Sequence, residues 1–133
     1  MNRFMIVVNP DKDTDSIVTN RIQSYLEAHG AACTVRDVFH LESSDWEALK
    51  KEQFDCVLVL GGDGTLLRMA GETEDIDIPL FGINLGTVGF LTEGEVANIE
   101  EILDRLLTDD FTIEERMMVT GTVTNCLLYT SPS

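Results

Sequence analysis

Hydrophobic positions along the chain follow two alternating patterns, which are short continuous apolar runs and longer segments with helical spacing. The apolar runs predict parallel strands buried on both faces, and they lie at Phe4–Asn9, Ala32–Asp37, Cys56–Leu60 and Ile78–Asn84. The helical spacing predicts four helices. They lie between Asp13 and Gly30, over Ser44–Gln53, from Thr65 to about Ala70, and around Val96–Leu106. Strands that alternate with helices predict an α/β fold with a doubly wound, Rossmann-like or flavodoxin-like parallel sheet.

The C-terminal part of the chain departs from this alternation. Phe111–Thr124 predicts an extended strand with no helix after it, and residues 125–133 have neither the periodicity nor the caps of a regular element. We therefore predict an α/β domain over residues 1–111, the first strand of a truncated β-rich C-terminal domain over 112–124, and a non-native tail over 125–133. Natural disorder of a chain terminus is the alternative for that tail.

Composition then narrows the possible classes of protein. The length of 133 residues fits one small domain. The formal net charge of −15 argues against binding to nucleic acid, so a phosphate ligand would be held by backbone dipoles, a few cations or a metal. The sequence predicts neither a signal peptide nor a membrane span, and the three cysteines form no CxxC pair. We therefore expect a cytoplasmic protein with reduced, structural thiols.

A glycine loop with the sequence GGDGT follows the third predicted strand. It is not a Walker A loop, because it lacks the closing Gly-Lys-Ser or Gly-Lys-Thr. It also does not match the dinucleotide fingerprint GxGxxG, because Leu67 occupies the position of the third glycine. The loop therefore needs an interpretation of its own, and its central aspartate provides one.

The residues of this loop combine anion binding with a carboxylate. Gly61 and Gly62 can take positive φ, Gly64 leaves backbone exposed, and a helix is predicted to begin at Thr65, so amides and a helix dipole can hold phosphate oxygens. Asp63 can accept a hydrogen bond from a hydroxyl group or bind a magnesium ion, which suits phosphoryl transfer to an alcohol. The alternative is a tight strand-to-helix turn in which Asp63 serves only as the N-cap.

A second glycine-rich segment, GINLGTVGFLTEGE, follows the fourth predicted strand. Glycines at a strand end indicate a backbone bent around a ligand, and an aromatic side chain there could cover a flat ring. The alternative for the aromatic residue, Phe90, is an ordinary place in the core. The candidate nucleotide-binding residues of this segment are Asn84, Gly86, Gly89, Phe90 and Thr92.

Together the two segments resemble the NAD kinase family, which phosphorylates the adenosine-ribose 2'-hydroxyl of NAD to give NADP. The resemblance is carried by GGDGTLLRMA and GINLGTVGFLTE and covers residues 1–124, including ERMMVTGTV near its end. GGDGT alone is shared with diacylglycerol and sphingosine kinases and, loosely, with phosphofructokinases. The second segment discriminates between them, because lipid kinases are expected to carry a Pro-x-Gly-Thr-Gly-Asn-type sequence there.

The resemblance also implies roles for individual residues. Asp63 would be the catalytic residue that faces the ribose hydroxyl, Gly64 a nucleotide contact, and Arg68 a further phosphate-side contact. Phe90 would lie near the adenine. The substrates would be NAD and ATP, with polyphosphate as another possible donor and Mg²⁺ or another divalent cation as cofactor. We expect a homo-oligomer at full length, no nucleic-acid or membrane partner, and no dedicated protein metal site.

The chain departs from the family at its C-terminal end. NAD kinases carry an Asn-Glu or Asn-Asp pair in a β-rich C-terminal domain, and no such pair follows Thr124. We therefore expect an N-terminal fragment of an NAD kinase that is inactive by itself. Two alternatives stay open, which are a non-catalytic dinucleotide-binding module and a lipid kinase of the diacylglycerol type that shares the GGDGT loop.

Overall fold

The computed structural model describes residues 2–51, 53–76, 78–84, 93–108, 116–120 and 125–129. Within these ranges, the side chains at positions 14, 63, 84, 93–96, 116–120 and 125–129 lie outside the description. The described helices and strands, in chain order, are β1 (Arg3–Val8), α1 (Ile17–Ala28), β2 (Ala32–Asp37), α2 (Ser43–Lys50), β3 (Cys56–Gly61), α3 (Asp63–Glu72), β4 (Leu80–Asn84), α4 (Glu93–Leu107), β5 (Arg116–Thr120) and β6 (Asn125–Tyr129).

The six described strands form one sheet with the order β2-β1-β3-β4-β6-β5. β1, β2, β3 and β4 are parallel, whereas β6 runs antiparallel to both β4 and β5. The order 2-1-3-4 is that of flavodoxin-like doubly wound sheets. The chain first winds from β1 to β2 and then crosses back to β3 on the other side of β1. The carboxyl ends of β1 and β3 therefore form the point at which the winding direction reverses.

Helices cover both faces of this sheet, which confirms the predicted doubly wound fold. Apolar side chains of α1 and α4 share one core with Leu58 and Leu60 of β3. Apolar side chains of α2 and α3 share a second core with Val57 and Val59 of the same strand. This split follows from the two-residue period of a strand, which sends successive side chains to opposite faces. β3 is therefore buried on both sides, as its continuous apolar sequence predicts.

A polar contact joins the two helices of the first core. Tyr25 of α1 donates a hydrogen bond of 2.6 Å from its hydroxyl to Asp104 Oδ1 of α4. This bond, together with burial and nearby carboxylates, raises the pKa of Tyr25 to about 12. The phenol therefore stays protonated and keeps donating across the helix pair at neutral pH.

Several element boundaries differ slightly from those predicted. α1 ends before Gly30, as expected, and this glycine has a left-handed φ of 85°. α2 ends at Lys50 instead of Gln53. β4 begins at Leu80 instead of Ile78, because the residue before it is Pro79, which has no N–H to donate to a strand ladder.

The C-terminal part contains one clear departure from the sequence prediction. The prediction that residues 125–133 carry no regular element is wrong for Asn125–Tyr129, which forms β6. β6 pairs with the whole of β4, from Leu80↔Tyr129 to Asn84↔Asn125, and with β5 on its other side. A short apolar run is sufficient for a strand when it completes the hydrogen bonds of a neighbouring strand edge. The predicted domain boundaries and the non-native origin of 125–133 stay predictions.

The strand predicted over Phe111–Thr124 is shorter in the structure. Its described part is β5, Arg116–Thr120, and residues 111–115 and 121–124 lie outside the described residues. β5 occupies the outer position of the described sheet, beside β6.

Two cysteines have described side chains, and both are free thiols. Cys56 is fully buried in β3, and burial raises the pKa of its thiol to about 12. Cys33 is half-buried, and burial raises the pKa of its thiol to about 11. Both groups therefore stay neutral at physiological pH, which agrees with the structural role expected for them. No helix among the described residues is long and apolar enough to span a membrane.

α3 approaches the sheet closely at two glycines. A Cβ atom on Gly61 of β3 would lie 2.7 Å from Thr65 Oγ1, and one on Gly82 of β4 would lie 2.8 Å from Leu66 Cδ2. Both distances are shorter than carbon contacts allow. The first turn of α3 can therefore rest on β3 because Gly61 lacks a side chain, and the end of the Leu66 side chain fills the space above Gly82. Gly71 near the end of α3 has no such neighbour within 4 Å.

We predict opposite effects for alanine at Gly61 and at Gly71. Gly61→Ala should lower the free energy of unfolding by about 1–3 kcal/mol, because the new methyl group overpacks against Thr65 and Asn9. Gly71→Ala should raise it by about 0.5–1 kcal/mol, because alanine costs less backbone entropy in a helix and the site is open. Urea unfolding of both variants measures the difference. Equal effects of the two changes would contradict the close approach at Gly61.

Candidate functional site

The two predicted glycine segments begin side by side at the carboxyl edge of the parallel strands. Gly61 is the last residue of β3, Asn84 is the last residue of β4, and the two are partners in the β3–β4 register. Ligands of doubly wound sheets bind in the crevice outside this edge, at the point where the winding reverses. The structure therefore brings the start of both segments to this edge, with Gly61 at the reversal point and Asn84 one strand farther along.

The turn after β3 leads directly into α3. Gly62 is the N-cap, and its carbonyl oxygen accepts hydrogen bonds from the amides of Thr65 at 3.1 Å and Leu66 at 3.3 Å. Asp63 is the first helical residue, so the helix begins two residues earlier than predicted. The alternative in which Asp63 serves as the N-cap is wrong, because Gly62 holds that position. The amides before Thr65, those of Asp63 and Gly64, come too early in the helix for a carbonyl partner within it, which makes this turn suitable for a phosphate oxygen.

Glycine is needed in this turn for a different reason than the sequence predicts. Gly62 has a φ of −93°, which any residue can adopt, so the left-handed freedom expected of it is not used. Among the described residues, the one glycine with a positive φ is Gly30. Gly61 is required instead by the short distance to the Thr65 side chain. Sequence alone cannot separate these reasons, because both select glycine.

A residue that the sequence analysis missed, Asn9, lies beside this turn. Its backbone N–H donates to Leu60 O at 2.8 Å, which extends the β1–β3 ladder by one residue. Its side-chain Nδ2 donates to Thr65 Oγ1 at 3.5 Å. Asn9 could have been identified from the strand order 2-1-3, because this order places the polar residue after β1 next to the glycine turn after β3.

The segment between β1 and α1 is held by a buried carboxylate. Asp13 is 5 % exposed and accepts hydrogen bonds from the amides of Val18 at 3.0 Å and Thr19 at 2.8 Å, and from the Thr19 hydroxyl. Asp13 therefore accepts from amides in the first turn of α1, although the residue in the N-cap position of this helix is Ser16. Two residues between Asp13 and the start of α1, Asp15 and Ser16, have left-handed φ values of 59° and 56°. Such backbone costs free energy, and the bonds of Asp13 offset part of it.

Arg68 lies on the solvent side of α3. Its guanidinium carbon is 5.9 Å from the centroid of the Phe39 ring, and its Nε is 3.5 Å from Glu72 Oε1. Both contacts are exposed and hold the side chain only weakly. Contact with a phosphate group therefore stays a prediction for this residue.

Part of the predicted site is not described. Residues Gly86, Gly89, Phe90 and Thr92 lie outside the described residues, as do the side chains of Asp63 and Asn84. The backbones of both residues are placed, Asp63 as the first residue of α3 and Asn84 as the last residue of β4. Within the described part of the chain, no three histidine, cysteine, aspartate or glutamate side chains come together as a possible metal site.

Fold and site together define a class of protein. A parallel sheet of order 2-1-3-4, with a glycine turn and a helix start where its winding reverses, is a doubly wound α/β domain, a class whose ligands bind outside the carboxyl ends of the strands. Residues 4–111 match the family model of the ATP-NAD kinase N-terminal domain. The chain belongs to this family.

Curated relatives of the chain carry the name NAD kinase. The relative from Lachnospira eligens is 39% identical over 128 residues, an alignment that covers 92% of this chain and 44% of that protein. The relative from Agathobacter rectalis is 38% identical over 130 residues, with 91% of this chain and 44% of that protein covered. The relative from Lachnoclostridium phytofermentans is 39% identical over 125 residues, with 92% and 44% covered. The chain spans less than half the length of these relatives.

We predict that Asp13→Ala will destabilise the protein by about 1–3 kcal/mol, because it leaves two buried amides and one hydroxyl without their acceptor. Asp11→Ala is the matched control, since Asp11 is an exposed aspartate of the same segment, and it should change stability by less than about 0.5 kcal/mol. Thermal and urea unfolding measure both. Equal stability of the two variants would show that Asp13 does not hold the segment.

Proposed function

We propose that this chain is the N-terminal part of an NAD kinase, which transfers a phosphoryl group from ATP to the adenosine-ribose 2'-hydroxyl of NAD. The observation that carries the proposal is the family match over residues 4–111, with the GGDGT turn at the carboxyl end of β3. The chain supplies the catalytic turn and one side of the substrate pocket. The remaining side comes from a segment that corresponds to the other part of its longer relatives, so the chain alone is inactive.

Asp63 is the proposed catalytic residue. An ordinary aspartate, with a pKa of about 4, is a weak base toward an alcohol. In a loose phosphoryl-transfer transition state, however, the attacking oxygen changes little until late in the reaction, so a strong base is not needed early. Asp63 orients the 2'-hydroxyl and accepts its proton late. Its position at the start of α3 fits this role, since the backbone there is fixed by β3 and by the Gly62 N-cap.

Phosphate groups are held by the turn that surrounds this carboxylate. The proposed contacts are the backbone of Gly61, Gly62 and Gly64, the Thr65 side chain and, from the solvent side of α3, Arg68. The chain has a formal net charge of −15, so in this proposal the backbone dipoles and Arg68 supply an attraction that the net charge of the chain opposes.

ATP enters the proposed reaction as its magnesium complex, with polyphosphate as another possible donor. Mg²⁺ is commonly bound by one or two carboxylates together with substrate phosphates, and it neutralises charge on the transferred group. The ion therefore belongs to the substrate complex in this proposal.

The second glycine segment completes the nucleotide contacts. Asn84, Gly86, Gly89 and Thr92 are proposed to contact the nucleotide, and Phe90 to lie near the adenine. Asn84 follows β4 and is paired with Gly61, so this segment starts next to the catalytic turn. The cytoplasmic location and the homo-oligomer of the full-length protein stay predictions.

A chimera tests the proposed function. Residues 1–111 of this chain are joined to the remaining C-terminal segment of the Lachnospira eligens relative, and NADP formation from NAD and ATP is measured. The chimera should form NADP, whereas the 133-residue chain alone should not. Phosphorylation of diacylglycerol instead of NAD would identify a lipid kinase, and NAD binding without phosphorylation would identify a non-catalytic module.

We predict that Asp63→Asn in this chimera will lower kcat by at least about 100-fold, with little change in the affinity for NAD, because the carboxylate acts in the transition state. Asp75→Asn serves as the control, since Asp75 is exposed beyond the end of α3. It should leave the rate unchanged. More than about a tenth of the activity in Asp63→Asn, a loss below about 1.4 kcal/mol, would contradict the role of this residue.

A further inference from the structure

Three residues from different elements meet where the winding of the sheet reverses. Asn9 follows β1, Gly61 ends β3, and Thr65 lies in the first turn of α3. The Asn9 side-chain Nδ2 lies 3.5 Å from Thr65 Oγ1. A Cβ atom on Gly61 would lie 3.2 Å from Asn9 Cβ and 2.7 Å from Thr65 Oγ1. The two polar side chains therefore meet directly above the glycine, in a space that any larger residue would fill.

The orientation of the Asn9 amide is fixed from the other side. The backbone N–H of Asp11 donates to Asn9 Oδ1 at 3.0 Å. A backbone N–H can only donate, so the atom that faces it is the amide oxygen. The amide nitrogen, which can only donate, must then face Thr65. A turn in which Lys12 N donates to Asn9 O at 3.0 Å, with Pro10 in its second position, holds this arrangement.

This orientation determines how the Thr65 hydroxyl can act. A hydroxyl group has one proton and two acceptor lone pairs. Because Asn9 Nδ2 donates, Thr65 Oγ1 accepts, and its own proton is left for another partner. Among the described residues, Thr65 Oγ1 makes no other hydrogen bond. The hydroxyl belongs to the first turn of a helix whose start is suited to anions.

We propose that Asn9 is a positioning residue for the kinase reaction, which directs the Thr65 hydroxyl to donate its proton to a phosphate oxygen of the bound nucleotide. The inference rests on the proposed function, and it adds a role that neither glycine segment contains. Asn9 does not touch the substrate in this proposal. It acts by donating to the hydroxyl oxygen, which turns the hydroxyl proton away from Asn9 and toward the side from which the phosphate arrives.

A double-mutant cycle in the chimera tests this role, with kcat and KM measured for ATP and for NAD. Asn9→Ala and Thr65→Val should each lower kcat/KM by about three- to tenfold, the effect of one hydrogen bond. The double variant should be no slower than Thr65→Val, because Asn9 acts through Thr65. Thr65→Ser keeps the hydroxyl and should retain most of the rate. Asn20→Ala, which removes an exposed asparagine of α1, is the matched control and should change nothing.

A second measurement tests the contact itself without activity. In nitrogen–proton NMR spectra of the 133-residue chain, Thr65→Val should shift the side-chain amide signals of Asn9 and leave those of Asn20 in place, whereas Thr65→Ser should shift neither. Unchanged Asn9 signals in Thr65→Val would overturn the proposal, whatever the chimera does.

The kinetic outcomes separate this inference from the proposed function. A chimera that forms NADP while Asn9→Ala keeps the full rate would overturn the inference alone. Additive losses in the double variant would also overturn it, because they would mean that Asn9 acts independently of Thr65. A folded chimera that forms no NADP would overturn the proposed function. It would then also overturn the proposed role of Asn9, because that role belongs to the same reaction.

Discussion

Close contact between α3 and the two strands beneath it is the constraint on which the site depends. Gly61 and Gly82 lack the side chains that would separate the helix from β3 and β4. As a result, a single residue, the N-cap Gly62, separates the end of β3 from α3, and Asp63 is the first residue of the helix. A helix held farther from the sheet would move this carboxylate and the first-turn amides away from the edge where the strands end.

The order of the strands is the second feature on which the candidate site depends. Because the chain crosses back over β1 to build β3, the ends of two strands that are distant in sequence become neighbours. The glycine turn after β3 therefore has a polar neighbour, Asn9, from the end of β1 and the end of β4 on its other side. This arrangement explains why a strongly acidic chain can present a place for phosphate, since the attraction comes from backbone geometry instead of net charge.

Sequence patterns predicted the strands, helices and glycine turn because each depends on local periodicity. They did not predict which residue caps α3, since the choice between Gly62 and Asp63 depends on how closely the helix approaches β3. Asn9 was missed because its importance comes from strand order, which no local pattern contains. β6 was missed because a four-residue apolar run becomes a strand only when a neighbouring edge accepts its hydrogen bonds. The cap of α3, the position of Asn9 and the formation of β6 all depend on contacts between residues that are distant in sequence.

The burial of β3 has a consequence for how precisely the turn beyond it can be held. All six residues of this strand are buried, and it has a hydrogen-bonded strand on either side. Its end cannot shift without disturbing both cores and two ladders, so the attached turn is anchored to the most constrained strand of the parallel sheet. The free energy needed to hold the backbone of this turn in one arrangement is therefore provided during folding, before any ligand arrives.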